Sequence, residues 1–149
     1  MTRFEQKDLS FDVPAGWQDR TVIAFAAPEK PGKVATATLI VTREKLRPNE
    51  SLRTYSSRQL AQVAKVLDGF ELHESRDVNV AGLPAVQHVF GWNAEAGPLV
   101  QRITFAAVSD TVVGFTGTMP KSEVAELSPV FDQLLASVRF SGMLPGRTY

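Results

Sequence analysis

The sequence predicts an α+β domain in which an antiparallel sheet packs against two helices. The periodic segments along the chain follow the order strands, helix, several strands, helix. Only a few residues separate the later strand candidates, and such short connections favour antiparallel hairpins. The length of 149 residues and the hydrophobic content of 44% suit one globular domain with a substantial core. We therefore expect one domain over residues 1–140, followed by a flexible tail over residues 141–149.

Three strand candidates precede the first helix, and proline and glycine separate them. They cover residues 4–13, 19–27 and about 34–43. The first ends at the turn around Pro14 and Gly16, and the loop before the third contains Pro28, Pro31 and Gly32.

The first helix is predicted over residues 50–67, with Asn49 or Ser51 as N-cap and Gly69 closing it. Its apolar residues cover about half the circumference, which is wider than one core-facing stripe requires. They are Leu52, Tyr55, Leu60, Val63, Ala64, Val66 and Leu67. Gln59 falls near the centre of this arc, so its amide either bonds to a nearby backbone group or is offered to a ligand.

Four further strands are predicted over residues 70–80, 84–93, 99–108 and 111–119. A second helix follows, with Ser128 as N-cap and Pro129 as its first residue. The apolar face of this helix comprises Val130, Phe131, Leu134, Leu135 and Val138.

Several strands carry apolar residues on both faces instead of alternating apolar and polar residues. Ile23 and Phe25 oppose Val22 and Ala24, and Ile40 opposes its apolar neighbours in the third strand. The strand over residues 99–108 places Leu99, Gln101 and Ile103 on one face. Two explanations stay open: helices or a second copy cover both faces, or the second face binds an apolar partner.

The composition excludes several functions. Lysine plus arginine and aspartate plus glutamate each number 16, so the chain lacks the basic excess of a nucleic-acid-binding protein. There is no cysteine, and no metal, nucleotide or nucleophile motif occurs. His88 lies among apolar residues and is predicted as a core histidine. We therefore expect no enzymatic activity, no cofactor and no metal site.

The first eight residues carry four charges, and no apolar stretch follows them. This predicts the absence of a signal peptide and a cytoplasmic location. The longest apolar stretches are also too short to cross a bilayer, so we expect no direct insertion into a membrane.

A set of short motifs resembles the DcrB-related family and, within it, the Eag chaperones of bacterial type VI secretion. The motifs span nearly the whole chain, and their order and spacing are more specific than any one of them. They are FDVPAGWQD at 11–19, Tyr55 with RQL at 58–60, GFEL at 69–72, VAGLPA at 80–85, FGW at 90–92, PVF at 129–131 and LASVRF at 135–140.

The resemblance implies a PsbP-like fold, with a curved antiparallel sheet of about six or seven strands and two main helices, in a homodimer. It also implies a partner, namely an effector with a PAAR domain, often an Rhs toxin. The chaperone would shield the effector's hydrophobic N-terminal transmembrane helices and assist its loading on the VgrG spike.

The family pattern implies a binding groove on specific positions of this chain. These are Val22, Ala24, Ile40, Gln59, Val63, Leu67 and Leu99. The family often has a second glutamine where this chain has Ile103, and Gln101 lies two residues earlier on the same strand face. Either Gln101 replaces that glutamine, or the groove lacks its second polar anchor.

Two other functions compete with a chaperone. One is a structural or immunity-type binding module whose second sheet face serves only dimerisation. The other is an enzyme or carrier for a small molecule, which would require clustered titratable groups between the sheet and a helix.

Overall fold

The computed structural model describes residues 2–32 and 37–141. Within these ranges the chain forms eight strands and two helices, with a 3₁₀ turn at Lys121–Glu123 before the second helix. The elements are β1 (Thr2–Gln6), β2 (Leu9–Val13), β3 (Ile23–Ala26), β4 (Thr38–Lys45), α1 (Leu52–Val66), β5 (Glu71–Val80), β6 (Leu83–Ala94), β7 (Gly97–Val108), β8 (Thr111–Pro120) and α2 (Val124–Ala136).

Six strands form one antiparallel sheet in the order β3–β4–β8–β7–β6–β5. Strands β5 to β8 follow one another as a meander, and β4 pairs with the last of them. The short strand β3 lies at one edge, and β1 and β2 form a separate two-stranded hairpin. The predicted α+β class, with an antiparallel sheet and two helices, is confirmed.

Helix α2 closes the central part of one face of the sheet. Phe131 packs against Val100 and Met119, and Leu135 packs against the cluster that contains Phe115. Gly117 of β8 makes room for this contact, because a Cβ atom there would stand 2.6 Å from Cε1 of Phe131. The helix therefore lies close to the strands.

Helix α1 starts and ends close to the predicted positions. Ser51 is the N-cap, and its side-chain oxygen accepts a hydrogen bond from the Thr54 backbone N–H at 3.1 Å. Gly69, just after the helix, has φ +64, a conformation that glycine adopts without strain. Of the two predicted N-caps, Ser51 is the right one.

The interior contacts of α1 are made by its first two turns. Tyr55 packs edge-on against Phe105, with ring centroids 5.3 Å apart, and also against Val112. Farther along, Ala64 is exposed and Val66 is 79% exposed, so part of the wide apolar arc faces outward.

The N-terminal prediction is wrong in one respect. Residues 4–13 form a hairpin, and the chain turns at Lys7, which has φ +50. The turn contains neither glycine nor proline, so its signal in the sequence is weak. Phe4 and Phe11 pack across the hairpin at 5.0 Å. The next strand, β3, is also shorter than the predicted span over 19–27.

The predicted start of the second helix is wrong as well. Helix α2 begins at Val124, so Pro129 lies inside it and Ser128 is not its N-cap. Val124 and Leu127 pack on the core around Met119, and this burial favours helix before the proline despite one lost backbone hydrogen bond. Val130, predicted on the apolar face, is 52% exposed.

Two predictions reach beyond the described residues. Val34, the predicted start of the third strand, lies outside them, and the described part of that strand begins at Thr38. Residues 142–149 of the predicted tail also lie outside them. The domain span 1–140 stays a prediction.

Candidate functional site

One row of paired residues crosses four strands on the face that carries α1. Ala24 of β3 pairs with Ile40 of β4, Ile40 pairs with Thr116 of β8, and Thr116 pairs with Ile103 of β7. Residues paired in this way point to the same side of a sheet. Because Ile103 packs against the cluster around Tyr55 of α1, the whole row faces the α1 side.

The neighbouring row lies two residues along each strand and therefore on the same face. Thr38 of β4 pairs with Thr118 of β8, and Thr118 pairs with Gln101 of β7. Leu99 follows on the same face two residues before Gln101, and Val22 precedes β3 with the same alternation as Ala24.

Helix α1 packs on β6 and β7 and leaves the strip over β3 and β4 open. Under the helix, His88 is 4% exposed, and its Nε2 lies 3.3 Å from Ser56 Oγ of α1. On the open strip, Ile40 is 37% exposed and Val22 is 56% exposed. The α1 face is therefore divided into a covered half and an open half.

Gln59 and Val63 of α1 and the C-cap residue Leu67, all three predicted, border the open half. The Gln59 amide reaches across to β4, where it contacts Glu44. Val63 and Leu67 follow at intervals of four residues, which places them on the same side of the helix, and both are half-buried.

We call the open strip, the helical residues that border it and the adjoining residues of β7 and β8 on the same face the groove. The structure thus places all nine predicted site residues on the α1 side of the sheet or on the side of α1 next to it. Its residues are Val22, Ala24, Thr38, Ile40, Gln59, Val63, Leu67, Leu99, Gln101, Ile103, Thr116 and Thr118.

Both glutamine amides of the groove bond to side chains through their nitrogen atoms. Gln59 Nε2 donates to Glu44 Oε1 at 3.4 Å, and Gln101 Nε2 donates to Thr118 Oγ1 at 2.9 Å. The amide nitrogen of Gln59 thus contacts a side chain and not the backbone. Within residues 2–32 and 37–141, the structure shows no hydrogen bond to either amide oxygen. Both oxygens are therefore available as acceptors.

A polar cluster ties α1 to β4 at one end of the groove. Burial, together with hydrogen bonding and charge from the Glu44 carboxylate, raises the pKa of the Tyr55 hydroxyl. The Arg58 guanidinium lies over the Tyr55 ring, 5.1 Å from its centroid. The guanidinium also donates two hydrogen bonds to Glu50, which lower the pKa of that carboxyl. The cluster fixes the position of the helix relative to β4.

His88 lies under α1 and is a core histidine, as predicted. It is 4% exposed, and its Nδ1 lies 2.7 Å from Ser75 Oγ and its Nε2 3.3 Å from Ser56 Oγ. Burial lowers the pKa of His88, so the neutral imidazole is the favoured form. Both ring nitrogens already have hydroxyl partners, which is the arrangement of a structural histidine.

A second crevice lies on the other side of α1, between its N-terminus and strands β5 and β6. The acidic side chain in it, Asp77, is bonded through both carboxylate oxygens to Arg53, at 2.9 and 3.1 Å. The crevice therefore offers no pair of carboxylates for acid–base chemistry. Its lining residues are Ser51, Leu52, Arg53, Asp77, Val78, Asn79, Pro84, Ala85 and Val86.

Two further features are absent from the part of the chain that the structure describes. No group of three or more histidine or acidic side chains there is arranged to hold a metal ion. Neither of the helices in this part has the length and apolar character required to cross a bilayer.

Comparison with known proteins assigns the chain to a family. The sequence model of the DcrB family matches residues 8–137, which contain the sheet from β3 to β8 and both helices. The chain belongs to the DcrB family. The resemblance found in the sequence motifs is thereby confirmed.

Among the relatives of this DcrB-family chain is a Pseudomonas aeruginosa protein named Effector EagT6. The two are 26% identical over 138 residues, which cover 93% of this chain and 95% of that protein. The crystal structure of the Pseudomonas aeruginosa protein PA94 has a TM-score of 0.79 at 25% identity, and the match covers 95% of this chain and 98% of that one.

More distant structures share the fold. The solution structure of cyanobacterial PsbP from Synechocystis has a TM-score of 0.53 at 11% identity, covering 91% of this chain and 89% of that chain. LpqN, which is involved in cell envelope biogenesis in Mycobacterium tuberculosis, has a TM-score of 0.53 at 12% identity. The match covers 77% of this chain and 80% of that chain. The PsbP-like fold expected from the resemblance is confirmed.

Sequence reasoning missed four residues that the structure places in or beside the groove. Thr38, Thr116 and Thr118 lie in its floor, and Glu44 lies at its end. Each follows the alternation of its own strand, so the sequence holds part of the signal. The missing part is the register between β4 and β8, which are more than 60 residues apart in the chain.

Proposed function

We propose that this chain is an Eag-type chaperone of a type VI secretion effector and that the groove holds a hydrophobic transmembrane helix of its client. The observation that carries the proposal is the open half of the α1 face. There apolar and small side chains lie exposed beside α1, and among the described residues no group donates a hydrogen bond to the amide oxygen of Gln59 or of Gln101. The relative EagT6 supports the same conclusion.

The physical need for such a groove is large. A transmembrane helix of ~20 residues exposes apolar surface that costs roughly 25 cal/mol per Å² in water. Before secretion this helix would aggregate or enter a membrane of the producing cell. A protein that covers the helix with apolar side chains removes that cost, and apolar contact does not require a specific sequence in the helix.

The groove floor suits the close approach of a helix. Ala24 is small, and Thr38, Thr116 and Thr118 present methyl groups together with hydroxyls. Small and β-branched side chains of this kind let helices pack closely, and hydroxyls and amides add interhelical hydrogen bonds in membranes. Gln59 and Gln101 would meet serine or threonine hydroxyls or an exposed backbone group of the client.

The remaining parts of the proposal follow the family resemblance and the relative. The client would be an effector with N-terminal transmembrane helices and a PAAR domain, often an Rhs protein, which the chaperone helps to load on the VgrG spike. The chaperone would act in the cytoplasm as a homodimer, without catalysis, cofactor or nucleic acid. Its interaction with the client would rest on apolar contact, in keeping with a formal net charge of zero.

Co-expression with the N-terminal region of a PAAR effector tests the proposal. Val63→Asp places a charge on the groove side of α1, and Val66→Asp places the same charge on a residue that is 79% exposed. We expect Val63→Asp to abolish the recovery of soluble effector fragment, because a buried unpaired carboxylate is strongly unfavourable. Val66→Asp should leave recovery unchanged.

A second pair of variants tests the sheet side of the groove. Ala24→Asp and Phe25→Asp lie next to each other in β3 but on opposite faces, and both residues are exposed. Only Ala24→Asp should reduce recovery. Equal recovery with all four variants would overturn the groove assignment, provided that their circular dichroism shows folded protein.

The competing function, a binding module whose second face serves only dimerisation, gives a different result. In that case Ala24→Asp would convert a dimer to a monomer in analytical ultracentrifugation without any client present. The chaperone proposal expects the dimer to survive this substitution, because the groove must stay open for the client.

A further inference from the structure

The orientation of the Gln59 amide is determined by its neighbour Glu44. An ionised carboxylate can only accept hydrogen bonds, whereas an amide has a donating nitrogen and an accepting oxygen. At 3.4 Å from Glu44 Oε1, the amide must therefore present Nε2. The opposite orientation would bring two acceptors together.

A second residue of α1 lies near the Glu44 carboxylate. Tyr55 precedes Gln59 by one helical turn, and burial together with the Glu44 carboxylate raises the pKa of its hydroxyl. Glu44 lies opposite Val112 of β8, on which Tyr55 packs. The carboxylate thus reaches from β4 over β8 to the helix, where it accepts the hydrogen bond from Gln59 Nε2.

The amide of Gln101 is less constrained in its orientation than the amide of Gln59. Its partner is the Thr118 hydroxyl, which can both donate and accept. If the Gln101 amide were reversed, the hydroxyl could donate to Oε1 and the bond would persist. The orientation of Gln101 is therefore adaptable, while that of Gln59 is fixed.

We propose that Glu44 is a positioning residue that fixes Gln59 with its amide oxygen free, so that the groove selects helices carrying a hydrogen-bond donor, such as a serine or threonine hydroxyl, opposite Gln59. This inference rests on the proposed function and concerns the chemistry of the client. A helix with only apolar side chains at this point would leave a desolvated amide oxygen unpaired, which is unfavourable.

The test uses the full chain and a defined probe. The probe is a carrier protein fused to a segment of about 20 leucine and alanine residues, the length that spans a bilayer. A single serine is placed in turn at seven consecutive central positions, which cover about two helical turns and so include every face. Binding of each fusion is compared with that of the fusion that has no serine.

We expect serine at one position or two positions one turn apart to tighten binding to the native chain by about 2- to 10-fold, the range of one net hydrogen bond. At that position, a semisynthetic probe with O-methylserine, which accepts but cannot donate, should bind like alanine. In Glu44→Gln the amide of Gln59 can take both orientations, so the serine preference should fall to about one. Binding of the serine-free probe should change less than about twofold.

Two further variants separate positioning from structure. Tyr55→Phe removes the hydroxyl but keeps the bond between Gln59 and Glu44, so the serine preference should persist. Glu71→Gln removes a charge at an exposed position of β5 and should have no effect. The preference should also disappear in Gln59→Leu.

The inference is overturned if no serine position binds more tightly, if O-methylserine is as effective as serine, or if Glu44→Gln retains the full preference. If the native chain binds none of the probes, the proposed function fails, and this inference fails with it. If the probes bind without preference, the proposed function stands and only the role of Glu44 is refuted.

Discussion

The two faces of the sheet have the same alternation of side chains but different packing. On the α2 face, Phe131 fits over Gly117 and the helix covers β7 and β8, while Phe25 at the β3 edge is exposed. On the α1 face, the helix covers β6 and β7, while Ile40 and its neighbours in β3 and β4 stay open. The same chain forms both faces and places apolar residues on each. The open strip therefore results from which residues occupy it and from the position of α1, and not from a lack of apolar residues.

The side chains of the two faces differ in size and polarity. The α2 face contains Met119 at 0% exposure and a glycine that admits an aromatic ring. The open strip carries alanine, threonine and amide groups, which would make a poor core but can receive a helix. The α2 face therefore contributes more packing to stability than the open strip does.

The largest expected effect is on the closed face. Phe131→Ala leaves a cavity over Gly117, so we expect the free energy of unfolding to fall by about 3–5 kcal/mol in urea denaturation. The matched control is Val130→Ala, since Val130 is 52% exposed and should change stability by less than about 0.5 kcal/mol. Similar losses in both variants would mean that α2 does not close this face.

Gly117→Ala tests the same contact from the sheet. The new methyl group would stand within 3 Å of three carbon atoms of the Phe131 ring, at 2.6, 2.8 and 2.9 Å. We expect a loss of about 1–3 kcal/mol from this overpacking. Combined with Phe131→Leu, the substitution should cost less than the sum of the two single losses. Additive losses would show that the ring does not contact Gly117.

The covered half of the α1 face should respond to pH through His88. Burial lowers the pKa of His88 below its ordinary value of 6.5, so below that pH the unfolded chain binds the proton more readily than the folded chain. Stability should therefore fall as the pH decreases from about 7.5 through 6.5 and level off below the folded pKa.

The variant His88→Asn should remove this slope, while His73→Gln, at an exposed position, should retain it. Urea denaturation at a series of pH values measures the slope directly, independently of the packing lost by each variant. An unchanged slope in His88→Asn would place the titrating group elsewhere.

The sequence predicted the closed parts of the molecule better than the open ones, for a physical reason. Helix α1 and strands β5 to β8 follow from local periodicity and from glycine at the turns, as at Gly69. The start of α2 depends on the burial of Val124 and Leu127, which outweighs the local signal of Pro129. That burial is a tertiary property, so no local pattern could predict it.

The candidate site shows the same limit. The alternation along each strand correctly grouped Ala24 with Val22, and Gln101 with Ile103. The role of Glu44 depends on the distance between β4 and α1, which only the assembled sheet defines. The grouping of residues on one face of a single element could therefore be predicted from the sequence. The contacts between different elements could not.

The smallest expected effect separates the two faces within one strand. Ile40 and Val41 are neighbours in β4, but Ile40 is 37% exposed and Val41 is 9% exposed. Val41→Thr buries a hydroxyl in the core and should cost about 1–3 kcal/mol. Ile40→Thr should change the free energy of unfolding by no more than about 0.5 kcal/mol, since its side chain already meets water. A loss above 1 kcal/mol for Ile40→Thr, measured at micromolar protein, would show that the groove is already occupied, and a dependence of that loss on protein concentration would identify the occupant as a second copy.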